Sequence, residues 1–364
     1  MMNKRFLHIL RLVSFAIGLL LFIIWLLVYV IYPAPNHDRS QQRLIQWGHD
    51  TPRLQDIPQF TDQLNKLPFD GLVFDIATPD DRRGLSWMIF QEPIDPVLLD
   101  HIRDQFKGYD WERLTDNFLR VNIFNPELTW DDWDIGLANL AQITSLAQDL
   151  GFKGIVLDTE QYGAVDIFDY PAQNTKDSRP FDMYSELAFQ RGMDTMQTIQ
   201  QAYPDITIIY TLGITHRISG LNPPQLDQHR YGLLVPFIEG MISITDPSIT
   251  LVDGYESSYL YRTEQEFATA YKWIRGGVST QLADGERYRN TMQAGFGLWI
   301  DPYCGDGGLP EDGCGFTPDE FETALSLALQ YSDGYVWLYN EHIDWFMDEG
   351  ISPAWWEMIN LSKQ

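Results

Sequence analysis

Residues 132–160 read DWDIGLANLAQITSLAQDLGFKGIVLDTE. From Ile135 to Leu150 the apolar side chains recur every three or four positions, the period of an amphipathic helix. After Gly151 the pattern changes to a short β-branched run, GIVLD, ending in acids, which reads as a strand running into a polar loop. The same unit recurs along the chain. Runs at 44–47, 71–76, 118–124, 154–160, 206–212, 250–255, 294–301 and 334–341 read as strands, with helix-period segments such as 132–150, 184–203 and 318–331 between them. Strands that alternate with helices are parallel and joined by crossovers, and eight such units in about 320 residues have the size of a closed (β/α)8 TIM barrel, an α/β fold. An open dinucleotide-binding sheet would carry G-x-G-x-x-G after its first strand, and none stands there. No further internal repeat or low-complexity tract interrupts the alternation.

The 364 residues are 45% hydrophobic and 21% charged, which places the chain among folded globular proteins. A net charge of −26 sets it against a phosphate-backbone partner, so nucleic acid is not expected. Residues 12–32 (LVSFAIGLLLFIIWLLVYVIY) carry no charge and are long enough, at about 1.5 Å per residue, to cross a bilayer core of about 30 Å. Lys4, Arg5 and Arg11 precede this run, and Trp25, Tyr29 and Tyr32 lie toward its far end. That asymmetry puts the N-terminus in the cytoplasm and the bulk of the chain outside the membrane, in a periplasmic or extracellular location. The exit through Pro33, Ala34 and Pro35 is a poor cleavage context, so an uncleaved single-pass signal-anchor is expected rather than a removed signal. The organisation that follows is a cytoplasmic tail at 1–11, a transmembrane anchor at 12–32, a linker at 33–42 and a barrel at 43–364. Cys304 and Cys314 flank the loop-like CGDGGLPEDGC, and in an oxidising compartment a disulfide bond closing that loop is expected.

A barrel builds its site at the C-terminal ends of its strands. Those ends carry Asp75, Asp158, Glu160, Asp253, Glu256, Asp301 and Glu341, interleaved with Tyr162, Tyr210, Tyr255, Trp299, Trp337 and Tyr339. An acid after a strand can also cap the helix that follows, the alternative reading for Asp75, Asp253 and Asp301. Asp158 and Glu160 differ, because a strand of period two points both to one face and Ile155 and Leu157 to the other. Two adjacent carboxylates raise the pKa of at least one, leaving a protonated acid near neutral pH. Hydrolysis of a glycosidic bond needs such an acid to protonate the leaving oxygen, and a second group to meet the sugar cation. Aromatic faces suit sugar rings, and the acids suit their hydroxyls. Glu160 is therefore the expected proton donor with Asp158 beside it. A second carboxylate from across the mouth is expected to be Glu341 first and Glu256 next.

The run GFKGIVLDTE resembles the fourth-strand signature of chitinase-like glycoside hydrolases, D-G-x-D-x-D-x-E. The resemblance implies that Glu160 is the acid and that Asp158 orients an acetamido group of the substrate. Lys153 and Val156 occupy the positions of the two earlier acids. The run GYVWLYNE resembles barrel hydrolases that set a Trp, here Trp337, beneath the sugar, and Asn340-Glu341 is similar to the Asn-Glu pair of retaining glycosidases. The wider resemblance is to the TIM-barrel glycoside hydrolase superfamily, which implies a polysaccharide or oligosaccharide substrate and no cofactor. A metal-dependent hydrolase would need His ligands at the mouth, and His49, His216 and His342 are the candidates, without H-x-H or H-E-x-x-H. No metal is expected. A non-catalytic carbohydrate-binding barrel has no need of two adjacent carboxylates on one strand. The expected partners are thus a glycan at the site and a lipid bilayer around residues 12–32.

Overall fold

Gly151 turns the chain from helix to strand. It takes φ +72°, a left-handed backbone that costs glycine nothing. Its N–H bonds to Gln148 O (3.0 Å) and that of Phe152 to Ala147 O (2.9 Å), so the last carbonyls of the helix are satisfied as the chain leaves it. The chain then enters a strand from Gly154. This helix-to-strand step repeats throughout the computed structural model, which describes residues 41–78, 84–162, 166–218, 225–301, 315–341, 343–346 and 353–363.

The strands are β1 (Arg43–Gly48), β2 (Gly71–Phe74), β3 (Phe118–Asn122), β4 (Gly154–Asp158), β5 (Thr207–Tyr210), β6 (Thr250–Asp253), β7 (Met292–Ala294), β8 (Phe296–Trp299) and β9 (Tyr335–Asn340). Between them run α1 (Thr61–Leu64), α2 (Pro96–Gln105), α3 (Asp134–Asp149), α4 (Phe181–Ala202), α5 (Leu234–Ile244), α6 (Glu264–Lys272), α7 (Gly285–Thr291) and α8 (Pro318–Tyr331), and α9 (Pro353–Ser362) follows the last strand. Capping boxes start α6 at Thr263 and α8 at Thr317, each closed by a Glu at the third helical position.

The sheet order is β7-β6-β5-β4-β3-β2-β1-β9-β8, and every pairing is parallel. Gly295 alone separates β7 from β8. One half of this interrupted strand pairs with β6 and the other with β9, so the ring closes through it. The Gly295 N–H bonds to Asp253 O (2.8 Å), and Asp333 N–H bonds to Ala294 O (2.8 Å). Counted this way, the eight expected strands are the eight staves of a parallel barrel.

Alternate residues of each strand face opposite ways. Ile45, Val73, Phe118, Val156, Ile209, Val252, Tyr335 and Trp337 fill the barrel interior. Leu44, Leu119, Ile155, Leu157, Ile208 and Leu251 face the surrounding helices, in the larger core. Trp337 fits because its neighbours give up their side chains: its Nε1 donates to Gly254 O (2.8 Å), and a Cβ on Gly297 would stand 2.6 Å from its ring. Residues 12–32, expected to cross a membrane, and Cys304 and Cys314, expected to be bonded, lie outside the described residues. Among the described residues no helix is long and apolar enough to cross a membrane.

Gly297→Ala must displace the Trp337 indole, and overpacking of this kind costs about 1–3 kcal/mol. We expect a lower denaturation midpoint together with altered tryptophan fluorescence. An unchanged midpoint would mean that the interior has room the packing does not show.

Candidate active site

The site begins inside β3. Its FLRVN sequence turns Phe118, Arg120 and Asn122 toward the lumen, leaving Leu119 and Val121 against the helices. Register then sets Asn122 beside Asp158 on β4. The Asp158 side chain is buried and accepts five bonds: from Arg120 Nη2 (2.7 Å), Asn122 Nδ2 (2.8 Å), Tyr162 Oη (3.2 Å), Thr211 Oγ1 (3.2 Å) and Glu160 N–H (3.1 Å). The Arg120 guanidinium lies over the rings of Trp47 (4.9 Å) and Trp87 (5.0 Å). A buried carboxylate with a guanidinium and four other donors is satisfied as an anion.

The bond from Glu160 N–H to Asp158 also ends the strand. The sequence reading carries the fourth strand to residue 160, but β4 stops at Asp158 because its side chain captures the backbone two residues on. Asp158 and Glu160 therefore remain neighbours through a side-chain turn rather than through the strand's pleat. Burial pushes the Glu160 carboxyl up, and the Asp158 charge adds to this. The Tyr162 hydroxyl and the guanidiniums of Arg230 and Arg120 pull it down.

Glu256 comes from the loop after β6. Tyr255 before it takes φ +43°, a left-handed backbone that a non-glycine residue holds only when its surroundings compel it. Asp253 supplies part of that compulsion, accepting from Tyr255 N–H (3.1 Å) and Thr215 Oγ1 (2.7 Å). Ser258 ties the turn to β8 through the Gly297 carbonyl (2.9 Å). Thus held, Glu256 is pushed up to about 8 by burial first and then by the charges of Glu160 and Asp158, against a hydrogen bond from Tyr259.

Aromatic rings surround these acids. Tyr259 stacks on Tyr339 (5.9 Å) and packs against Trp299 (5.7 Å) and Trp337 (5.3 Å), and Trp87 meets Tyr162 edge-on (4.8 Å). Tyr162 is 48% exposed, the open side of the ring. Among the described residues, three buried polar atoms at the mouth have no partner: Arg120 Nε, Asn122 Oδ1 and Trp299 Nε1.

Of the residues singled out from sequence, Asp158, Glu160, Glu256, Tyr162, Trp299 and Tyr339 meet here. Glu341 sits at the rim, where its Oε1 accepts from Tyr339 Oη (3.2 Å), and it is not among the charges that shift Glu160 or Glu256. Trp337 lies below them as part of the floor. Five others are elsewhere or otherwise engaged. Tyr210 faces the helices, its hydroxyl on Met241 Sδ (3.5 Å), and Tyr255 packs against Phe296 (6.1 Å) in the same outer core. Asp253 shares that outward parity. Asp301 pins the turn after β9 by accepting from Glu341 N–H (2.9 Å) and Ile343 N–H (2.7 Å). Asp75 is engaged by its neighbours: it accepts from the N–H (3.0 Å) and hydroxyl (2.7 Å) of Ser86 and pairs with Arg53 (3.2 Å).

Sequence reasoning passes over Arg120, Trp47, Trp87 and Tyr259. Arg120 has a visible signal, a lone charge at an inward position of an apolar strand. Trp47 ends the first strand run, where an aromatic should be weighed like an acid. Trp87 and Tyr259 reach the mouth from loops, and nothing in their local sequence marks them.

No family model matches the sequence, and no curated protein matches it. Among solved structures the chain is similar to a GH5-4 broad specificity endoglucanase from Clostridum cellulovorans, with 12% identity, 92% of this chain and 100% of that chain covered, and a TM-score of 0.49. It is similar to a GH5 family lichenase from Caldicellulosiruptor sp. F32, with 9% identity, coverage of 91% and 97%, and a TM-score of 0.48. A third is the 3-keto-D-glucoside 4-epimerase YcjR from E. coli, with 13% identity, coverage of 88% and 99%, and a TM-score of 0.40. Likeness at this level carries no argument about activity.

Because Glu256 rises from 4.5 to about 8, the folded chain keeps a proton between those values that the unfolded chain has lost. Stability contributed by this group must fall as pH rises through that window. Glu256→Gln removes the dependence, so the variant should melt higher than the wild type at pH 8, by a few degrees as an order of magnitude, and converge with it near pH 4.5. Asp253 and Asp50, both pushed up to about 6 chiefly by burial, slope the same way in both proteins and cancel. Thermal unfolding across pH checks this, and parallel curves would refute the assigned shift.

Proposed function

We propose that the chain is a glycoside hydrolase in which Glu256 carries the transferred proton and Glu160 is its ionised partner. The observation that carries this reading is the placement of two carboxyls at one barrel mouth in unequal surroundings. Glu256 is half-buried with two acids as its charged influences, and Glu160 has Arg120, Arg230 and the Tyr162 hydroxyl favouring its charged form. Both carboxyls are held above the ordinary value, Glu256 the further, and a pair shifted unequally in this way divides into an acid and its counterpart. The sequence reading puts the proton on Glu160, and the surroundings of the two groups favour Glu256 for it.

In this mechanism a sugar ring lies against the aromatic faces of Tyr162, Trp299 and Tyr339. Glu256 gives its proton to the leaving oxygen as the bond to the anomeric carbon breaks. The Glu160 carboxylate meets the positive charge that builds at that carbon, and a water then adds its hydroxyl to the anomeric carbon and returns its proton to Glu256. Asp158, bound to Arg120, holds the Glu160 backbone. It is a positioning residue. The apolar run at 12–32 would tether this barrel to a membrane on its extracytoplasmic side, near surface glycans.

Leaving-group dependence tests the roles. On a panel of glycosides, Glu256→Gln should lose roughly 10²–10⁴-fold on poor leaving groups and far less on dinitrophenyl glycosides, which need no acid. Glu160→Gln should lose on both. The opposite pattern would return the proton to Glu160, and no loss in either variant would exclude the hydrolase. Activity of the wild type should fall as pH rises through about 8, when Glu256 ionises, and fall on the acid side as Glu160 gains a proton.

A further inference from the structure

Beside Glu160 stands a second group of charges that the reaction does not use. Gln161, the next residue, donates its N–H to Tyr231 Oη (2.9 Å) and accepts from Arg230 Nη2 (2.8 Å) through its carbonyl. Two guanidiniums lie over the Tyr231 ring, Arg230 at 5.0 Å and Arg217 at 5.2 Å from its centroid. They are not equivalent. Arg230 Nε donates to Asp166 (2.7 Å). Arg217 pairs with no carboxylate among the described residues: its Nη2 contacts His216 Nε2 (2.9 Å), and its Nε is buried without a partner.

The neighbouring segments outside the described residues, 163–165 and 219–224, contain no Asp or Glu that could fill the gap. Asp169 lies within Coulombic reach of both arginines, but no hydrogen bond joins it to either. Even with Asp166 and Asp169 counted, burial and then Arg230 hold Arg217 below its ordinary value, whereas Arg230, bonded to Asp166, is held above it. His216 is kept neutral by burial and the two guanidiniums, at about 4, and so cannot relieve the charge shortfall.

We infer that Arg217, with Arg230 beside it, receives an anionic substituent of the sugar, a uronate carboxylate or a sulfate or phosphate ester, in a subsite next to Glu160. The guanidinium fork matches the paired oxygens of such a group, and Arg217, unlike Arg230, spends none of its fork on a carboxylate among the described residues. The chain's own balance, 51 acids against 25 bases, disfavours an anionic glycan on average, so such a ligand needs a local cationic seat. A sugar with a negative substituent is thereby drawn to one place and fixed in one orientation relative to Glu160 and Glu256. This inference rests on the hydrolase reading for its substrate but not for its test.

The test is equilibrium binding, which needs no turnover. Full-length protein in detergent is titrated with D-glucuronate, glucose 6-sulfate, glucose 6-phosphate and glucose. At least one anionic sugar should bind about tenfold tighter than glucose, the ratio expected of one charge-assisted bond. Which of the three gains most identifies the substituent. The advantage should shrink as salt rises and disappear in Arg217→Gln, with Arg217→Lys between. Equal binding of all four sugars by the wild type, or a preference that survives in Arg217→Gln, overturns the proposal. Should Arg217→Gln fail to fold, the wild-type comparison and its salt dependence decide by themselves. Anion preference without turnover of any glycoside would leave the subsite standing and remove the hydrolase. Turnover of neutral glycosides without anion preference would do the reverse.

Discussion

The mouth of this barrel depends on one buried ion pair. Arg120 enters the lumen from β3 because the strand's period leaves it no other face, and it meets Asp158 on the adjoining strand at 2.7 Å. Removing Arg120 would leave Asp158 buried without its counter-charge, a change of the kind that costs about 3–5 kcal/mol in fully buried pairs. With the pair intact, Asp158 keeps enough acceptor capacity to take the Glu160 N–H, which stops β4 and sets Glu160 beyond the strand end. The indoles of Trp47 and Trp87 enclose the guanidinium and so shape the cavity wall as well. A single charge pair thus fixes the floor, one wall and one of the two acids.

The opposite acid is held by different means. Asp253 faces away from the lumen, yet it fixes the left-handed Tyr255 from which Glu256 projects. Its distance from the chemistry does not make it idle. The two sides of the mouth are unequal by construction: burial pushes both carboxyls up, but Arg230 and Arg120 offset part of the rise at Glu160, while the charges of Glu160 and Asp158 add to it at Glu256. Placing a carboxyl in such surroundings works against stability at neutral pH, a cost that active sites commonly carry.

Much of the fold is legible in the sequence because alternation of period two and period 3.6 is a local property. All eight strand runs fall where the staves of the barrel lie, and the interruption at Gly295 changes only how the seventh is divided. The site is less legible. Which parity of a strand faces inward is set by its neighbours, so Tyr210 and Asp253, at the ends of their strands, read as mouth residues although they point to the helices. Leu251 and Asp253 share a face, as do Val252 and Gly254, and the apolar Val252 belongs to the interior. The choice of Glu256 over Glu341 turns on which loop bends across the opening, a question of long-range packing. Arg120 was readable in principle, since a lone charge among apolar strand residues must have a partner inside.

The central claim is that one carboxyl at the mouth stays protonated at neutral pH, and that it belongs to Glu256. Carbon-13 NMR of protein labelled at glutamate side-chain carboxyls, titrated from pH 3 to pH 10, observes that proton directly. The account predicts a resonance that titrates near 8 and is missing from Glu256→Gln. Ordinary titration of every glutamate in the wild type, or a high-pH resonance that persists in that variant, would contradict it.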